Sequence, residues 1–438
     1  MARFLCILFS CFCVLVAGAQ NLESVFTVYL DSEDGREPSC VQVDHPINFQ
    51  GITVHSDYVP TRVTILNGND TLYSSAKSDA PFGAKFKVRG NTSAVVDKKP
   101  YKIKLEKKAD LLFRSPKRKD KEWVLLAGDV QGQMNAIVGM QFNRVAGMDF
   151  CPMWSFCRLY VNGNDKGMYL LTETVKRNED ARVNVDSTGF IAEYDAYWWD
   201  EDFAVGPKDV IKFTFKSPKA EDMTDGQKEY FSGYLNSFLQ STSAKNYDEY
   251  IDVDSFALWL LMQDVLGNSD SMGANLFFSK NDNTASSKMR MGPLWDFDCL
   301  GRSKGWSRQH LSNTLFFKQL LSAPNFAFLN AYNKLWNDNK KMYETEMKGF
   351  LSLFEQSPVA ASLAAFYGEN DYNKALKFLN DWFDTRFQWI DDNINTVIYQ
   401  RAEFRDCFFY DVLGRKYSKG TPKTLLVNKN RKLYVTPK

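Results

Sequence analysis

Two short stretches concentrate side chains suited to handling a phosphate and its counter-ion. The first, Asn268-Ser269-Asp270-Ser271-Met272-Gly273-Ala274-Asn275, runs into the apolar segment Leu276-Phe277-Phe278. The second, Leu294-Trp295-Asp296-Phe297-Asp298, sets two carboxylates in an aromatic frame. Phosphoryl transfer uses parts of this kind. One carboxylate positions the attacking hydroxyl, and an Asn and an Asp hold the metal that neutralises the phosphates. The order Asp270, Asn275, Asp296 supplies all three, with Asp298 as a further carboxylate for the metal. Read without that order, the first stretch is a polar loop after a helix and the second an edge strand with two solvated acids.

The spacing of Asp270 and Asn275 is that of a protein-kinase catalytic loop, in which a metal-binding Asp follows beyond a short hairpin. A β-rich half must then supply phosphate contacts and a cation. Arg89-Gly90-Asn91-Thr92-Ser93 is a candidate turn over phosphates, with donors from Arg89 and Asn91 and close backbone approach at Gly90. Lys98-Lys99-Pro100-Tyr101-Lys102-Ile103-Lys104-Leu105 offers Lys99, Lys102 and Lys104 as the cation. Lys102 and Lys104 share a strand face. A lysine-rich strand also serves as a plain solvated edge. Glu173 stands where it could pair with that lysine or mark the junction between halves. Paired acids and abundant Trp also suit carbohydrate chemistry. Glycosidase carboxylates lie across a sugar, about 5–10 Å apart, whereas Asp296 and Asp298, two apart on a strand, would share one face as for a metal.

These groups need elements to position them. Up to about residue 178 the pattern is short strands with turns: Phe26 to Leu30, Val63 to Leu66 with Thr71 to Tyr73, Lys85 to Val88, Tyr101 to Leu105, Phe156 to Val161 and Gly167 to Leu171. Asn162-Gly163 marks a hairpin, and Met134 to Val145 has helical periodicity. Beyond residue 178 helices dominate. Gly226 to Leu239 and Ser255 to Leu266 read as helices, the latter capped by Asp254 and stopped by Gly267. Short strands are expected at Leu276 to Ser279 and Met289 to Trp295, then helices from Asn313 to Ile398 broken at Pro324 and Pro358. The fold class is α+β, a β-rich lobe over 20–178 followed by a helix-rich lobe over 179–400.

The chain has 438 residues, with 54 Lys plus Arg against 53 Asp plus Glu. That balance gives no reason to expect nucleic acid as a partner. Met1-Ala2-Arg3, the apolar run Phe4 to Val16 and Ala17-Gly18-Ala19 have the layout of a cleavable secretory signal over 1–19. Leu8-Phe9-Ser10-Cys11 loosely matches a lipoprotein box, but puts bulky Phe9 where a small residue belongs. No later stretch is apolar enough to cross a membrane. After cleavage Cys40, Cys151, Cys157, Cys299 and Cys407 remain. Cys151 and Cys157 either close a small loop or stay buried thiols. Residues 401–438 form a small basic β segment containing Tyr410-Asp411-Val412-Leu413-Gly414-Arg415. It resembles a type IX secretion sorting signal, though a terminal hairpin closing the core has the same pattern.

Together these blocks resemble the CotH kinase family. Arg89-Gly90-Asn91-Thr92-Ser93, Lys99-Pro100-Tyr101-Lys102-Ile103-Lys104-Leu105, Tyr169-Leu170-Leu171-Thr172-Glu173, Gly189 to Asp195, Tyr250 to Phe256 and Gly292-Pro293-Leu294-Trp295-Asp296-Phe297-Asp298 follow its order. The resemblance implies an atypical, two-lobed protein kinase of the secretory route. Such a kinase uses ATP with Mg²⁺ or Mn²⁺ and phosphorylates protein Ser or Thr. It implies Asp270 as the catalytic Asp, Asn275 and Asp296 as metal ligands, and one lysine between Lys99 and Lys104 on phosphate. Ser269 departs from the kinase Arg, and Cys299 from the Gly common after the aspartates. A fold kept for binding without turnover is the alternative.

Overall fold

The computed structural model describes residues 22–45, 51–77, 80–207, 211–268, 275–301 and 316–394, with the backbone of four short strands beyond them. The expected leader at 1–19, the catalytic candidate Asp270 and Cys407 lie outside the described residues.

The first lobe is built on alternation. Its strands are β1 (Phe26–Ser32), β2 (Cys40–Val43), β3 (Thr53–Ser56), β4 (Val59–Asn67) and β5 (Asp70–Ser74). Then come β6 (Gly83–Val88), β7 (Tyr101–Ala109), β8 (Asp120–Leu126), β9 (Trp154–Val161) and β10 (Asn164–Glu173). Eight of them form one sheet in the order β1-β9-β10-β8-β7-β6-β4-β5, with β2 and β3 a separate pair. β4 pairs with β6 and β5 on one edge and with β1 on the other, so the sheet closes on itself. Inward residues of these strands, among them Val28, Ile65, Phe86, Ile103, Trp123 and Leu159, fill the interior. The β9–β10 hairpin turns at Asn162 and Gly163, with φ of 49° and 77°, the paired positive values that such a turn requires.

Outside the closed sheet lies helix α1 (Val130–Val145), capped by Asp129, whose side chain accepts from the Gly132 N–H at 2.8 Å. A second, four-stranded sheet follows, in the order β12-β11-β13-β14. Its strands are β11 (Phe190–Asp195), β12 (Lys212–Ser217), β13 (Leu276–Lys280) and β14 (Arg290–Met291). One face, with Phe190, Ala192, Tyr194, Phe213, Phe215 and Phe278, packs into the helical core. That core contains α2 (Asp225–Ala244), α3 (Val253–Leu266), α4 (Phe317–Leu320), α5 (Ala327–Glu355), α6 (Pro358–Tyr367) and α7 (Glu369–Asn393). Helix α3 is apolar nearly all round and is enclosed by its neighbours. The molecule is thus α+β, its strands concentrated before its helices. Among the described residues no helix is long and apolar enough to cross a membrane.

Two expectations need correction, and one open alternative is decided. The cap of α3 is Asp252, which accepts from the Ser255 N–H at 2.9 Å, and Asp254 becomes a first-turn acid. The strand expected over Met289 to Trp295 shortens to Arg290–Met291. Pro293 has no N–H to offer a ladder, and Leu294 instead pairs both backbone groups with the Asn143 side chain, at 2.8 and 3.0 Å. Cys151 and Cys157 are both free thiols, and burial pushes Cys151 up to about 11. Beyond residue 400, Phe409–Tyr410, Lys416–Tyr417, Leu426–Asn428 and Leu433–Tyr434 form a small antiparallel sheet.

Candidate active site between the two sheets

Strand periodicity gives the second sheet two unlike faces. With Phe190, Ala192 and Tyr194 turned into the helical core, Glu193 and Asp195 fall on the other side, as do Thr214 and Phe277 on the flanking strands. This polar face looks toward the first lobe, where Val124 of β8 packs against Phe277 and Trp295. The outer face of β7 and β8 beside Val124 carries Lys102, Lys104 and Glu122. A cation-bearing sheet therefore meets a carboxylate-bearing one.

The pieces for metal chemistry sit where regular backbone stops. Asn275 immediately precedes β13 with φ 68°, and Asp296 has φ 60°. Asn and Asp tolerate this left-handed conformation better than most residues do. The Asn275 amide nitrogen comes within 3.4 Å of the Asp296 carboxylate, and Asn268 donates to the Asp296 carbonyl at 2.7 Å. The Asn275 backbone N–H donates to Glu193 Oε1 at 2.8 Å, and Lys216 Nζ lies 2.8 Å from Glu193 Oε2.

Charge balances tightly here. Burial alone would lower Lys216, but Glu193 and Asp195 outweigh it and hold the ammonium well above the usual range. Burial, reinforced by Glu193 and opposed by Lys216, pushes the Asp195 carboxyl up to about 7. From the first lobe comes Arg89, just after β6. Burial lowers its pKa, while Asp296 and Glu193 pull the other way. One arginine thus feels the carboxylates of both loop and sheet.

Helix α1 fixes the Asp296 loop through a stripe spaced every fourth residue. Asn135 donates to the Leu300 carbonyl at 3.4 Å, and Asn143 clamps Leu294. Between them Gly139 lies so close to the Phe297 ring that an added Cβ would meet it at 2.1 Å. Only hydrogen fits there.

The structure thus brings Asn275 and Asp296 together, with Arg89 close enough to feel the Asp296 charge. The other candidates are engaged elsewhere. Lys102 pairs with Glu122 at 2.8 Å, and Lys176 approaches the same carboxylate at 4.0 Å. Burial lowers Lys102 against the pull of Glu122. Lys104 stands opposite Glu122 on β8 and Lys85 on β6. Lys99 donates into its own loop, to the Ala94 carbonyl at 2.8 Å. Asn91 accepts from the Val54 N–H at 3.2 Å. Glu173 is not the partner of a strand lysine. It is fully buried, binds Arg118 at 2.7 Å and accepts from the Met153 N–H, because the end of β10 turns it toward the loop before β9. Asp298 does not share a face with Asp296. The left-handed residue at Asp296 breaks the two-residue period, and Asp298 sits exposed in the following turn.

Sequence reading missed Glu193, Asp195 and Lys216. Their signal was present as alternation, since Lys212, Thr214 and Lys216 interleave with Phe213 and Phe215. Among the described residues there is no cluster of three or more His, Cys, Asp or Glu suited to a metal. An Asn–Asp pair of hard oxygens does fit Mg²⁺ or Mn²⁺, which take one or two protein oxygens and complete their shell with water and substrate phosphates.

Two solved structures show distant likeness. One is the HipA–HipB toxin–antitoxin complex of Shewanella oneidensis MR-1 with its operator DNA, at 12% identity and TM-score 0.33 over 81% of this chain and 68% of that one. The other is the Golgi casein kinase, at 8% identity and TM-score 0.30 over 87% and 77%. At these scores neither likeness bears on the argument. No curated protein matches the sequence. A family profile described as CotH kinase protein matches residues 86–390.

Proposed function

The chain belongs to the CotH kinase family, and from that premise we propose that it transfers the γ-phosphoryl group of ATP to Ser or Thr of a protein. The observation that carries the proposal is the meeting of Asn275 and Asp296, both in left-handed backbone, with Arg89 of the other lobe coupled to Asp296 electrostatically. In this reading Asn275 and Asp296 hold a divalent cation, Mg²⁺ or Mn²⁺, which when bound neutralises charge on the phosphates. Arg89 adds a fixed positive charge opposite. Asp270, five residues before Asn275 in the sequence, orients the acceptor hydroxyl and takes its proton. The bond from the γ-phosphorus to the ADP oxygen breaks as the one to the acceptor oxygen forms, and ADP leaves. Lys102, kept beside Glu122, is the strand lysine best placed to face the nucleotide, because Val124 on the same face packs against Trp295. The leader over 1–19 and the sorting-signal resemblance over 401–438 support an exported protein, secreted or at the cell surface.

Labelled ATP with Mg²⁺ or Mn²⁺ tests the reading. Wild-type protein should incorporate phosphate into itself or a generic acceptor, and Asp296→Asn should lose on the order of 10³-fold in rate while keeping its melting temperature. Transfer that survives Asp296→Asn would overturn the assignment. Metal-dependent nucleotide binding without any transfer would point instead to a binding protein built on the kinase scaffold.

A further inference from the structure

Glu193 is only 8% exposed, yet it lies in the middle of a sheet between Thr214 and Phe277. Both of its carboxylate oxygens are spoken for. Oε1 accepts the Asn275 backbone N–H, and Oε2 faces Lys216 Nζ, each at 2.8 Å. Each oxygen keeps a further lone pair, but the contact that Glu193 makes with the Asn275–Asp296 pair is through the Asn275 N–H. Its effect on that pair passes through the residue it holds.

That residue is Asn275, at a costly place in the chain. Left-handed backbone is sparsely populated even by Asn, and it persists where surrounding contacts hold it. Here the conformation comes one step before β13 begins, where the N–H has left the regular ladder. The Glu193 carboxylate takes that N–H and so defines the angle at which Asn275 enters the strand. The same angle aims the Asn275 amide at Asp296, 3.4 Å away. Lys216, on the neighbouring strand, holds the other oxygen of the same carboxylate at 2.8 Å.

An ion pair of this kind, with Lys216 half-buried and Glu193 buried, adds little net stability, because desolvation offsets much of the attraction. Two apolar residues would fill the space as well. What they could not do is hold an N–H in a left-handed turn, so the pair's contribution is direction.

We propose that Glu193, braced by Lys216, is a positioning residue that sets the cation-binding geometry of Asn275 with Asp296. The inference rests on the reading of Asn275 and Asp296 as the metal pair. It predicts that Glu193→Gln and Lys216→Met weaken Mn²⁺ binding while leaving nucleotide affinity without metal unchanged.

The measurement is a Mn²⁺ titration of the full chain with a non-hydrolysable ATP analogue, following free Mn²⁺ by electron paramagnetic resonance. A parallel titration of the analogue is made without metal. Loss of a partner behind a metal ligand typically costs about 10- to 100-fold in affinity, and that is the loss expected for both variants. Lys216→Arg keeps the cation and should recover most of it. If folded wild-type protein binds no Mn²⁺ with the analogue, the metal reading fails and this inference with it. Wild-type binding together with unchanged binding by Glu193→Gln would refute the positioning role and leave the proposed function standing. Equal losses with and without metal, unrelieved in Lys216→Arg, would reduce the pair to scaffolding and refute it too.

Discussion

The closed sheet of the first lobe and the four-stranded sheet of the second obey the same alternation but put it to different use. In the closed sheet one face makes a private interior, to which Trp123, Ile103 and Phe86 belong. In the smaller sheet one face joins the helical core while the other turns Glu193 and Asp195 toward the first lobe. Regularity in the first produces stability. In the second, the proposed chemistry gathers where regularity ends, at Asn275 and Asp296. A residue's burial therefore says little about its functional weight until it is known which sheet buries it.

The comparison is easiest to break at Trp123. It is fully buried, donates its indole N–H to the Asp120 carbonyl at 3.2 Å and lies under the Arg182 guanidinium. Trp123→Ala should cost about 3–5 kcal/mol of stability, read by urea unfolding. At temperatures where the variant stays folded, its Mn²⁺ affinity should match wild type. A parallel fall in affinity would mean that the closed sheet is not the private core described.

A smaller change should do the opposite. Gly139→Ala adds one methyl group to α1, against a Phe297 ring that is itself 2% exposed and has nowhere to go. Overpacking of this kind costs about 1–3 kcal/mol. Phe297 adjoins Asp296, so metal-dependent nucleotide binding should fall far more than stability does. Calorimetric titration of the analogue with and without Mn²⁺ checks this. Intact metal dependence would show that the loop tolerates a shifted ring.

Much of the closed sheet is legible in the sequence because each strand states its own period. Tyr101-Lys102-Ile103-Lys104-Leu105 names its buried face unaided, and Asn162-Gly163 names its turn. The closure through β1 and β4 is not written locally, since either strand would look the same in an open sheet. In the site, Asn275 and Asp296 stand out by residue type and order. Glu193 and Lys216 do not, because a charged residue in an alternating strand reads as solvent-facing until a second lobe covers it. Asp298 misleads for the converse reason, as its spacing from Asp296 implies a strand that the backbone at Asp296 abolishes. The Gly139 contact joins residues far apart in sequence and leaves no local trace.

The finest test of the two-sheet contrast is electrostatic. A carboxylate on the cleft face must share a small volume with Glu193 and Lys216, whereas the interior of the closed sheet has no such burden. Burial pushes the Asp195 carboxyl up to about 7, so the folded chain holds a proton that the unfolded chain releases near pH 4. A raised value means the associated stability is fully present below the unfolded pKa and is lost as pH climbs through the folded one. Asp195→Asn keeps the acceptor for the Tyr197 N–H, found at 2.8 Å, and removes the titration. Between pH 5 and 8, in metal-free buffer, the variant should gain on wild type by about 2–3 kcal/mol, measured by denaturant unfolding at each pH. A difference that stays flat would mean Asp195 is ionised throughout, so that Lys216 serves two carboxylates at once. In that case Lys216→Met should destabilise wild type more than it destabilises Asp195→Asn, because only the first would be left with two uncompensated charges on one sheet face.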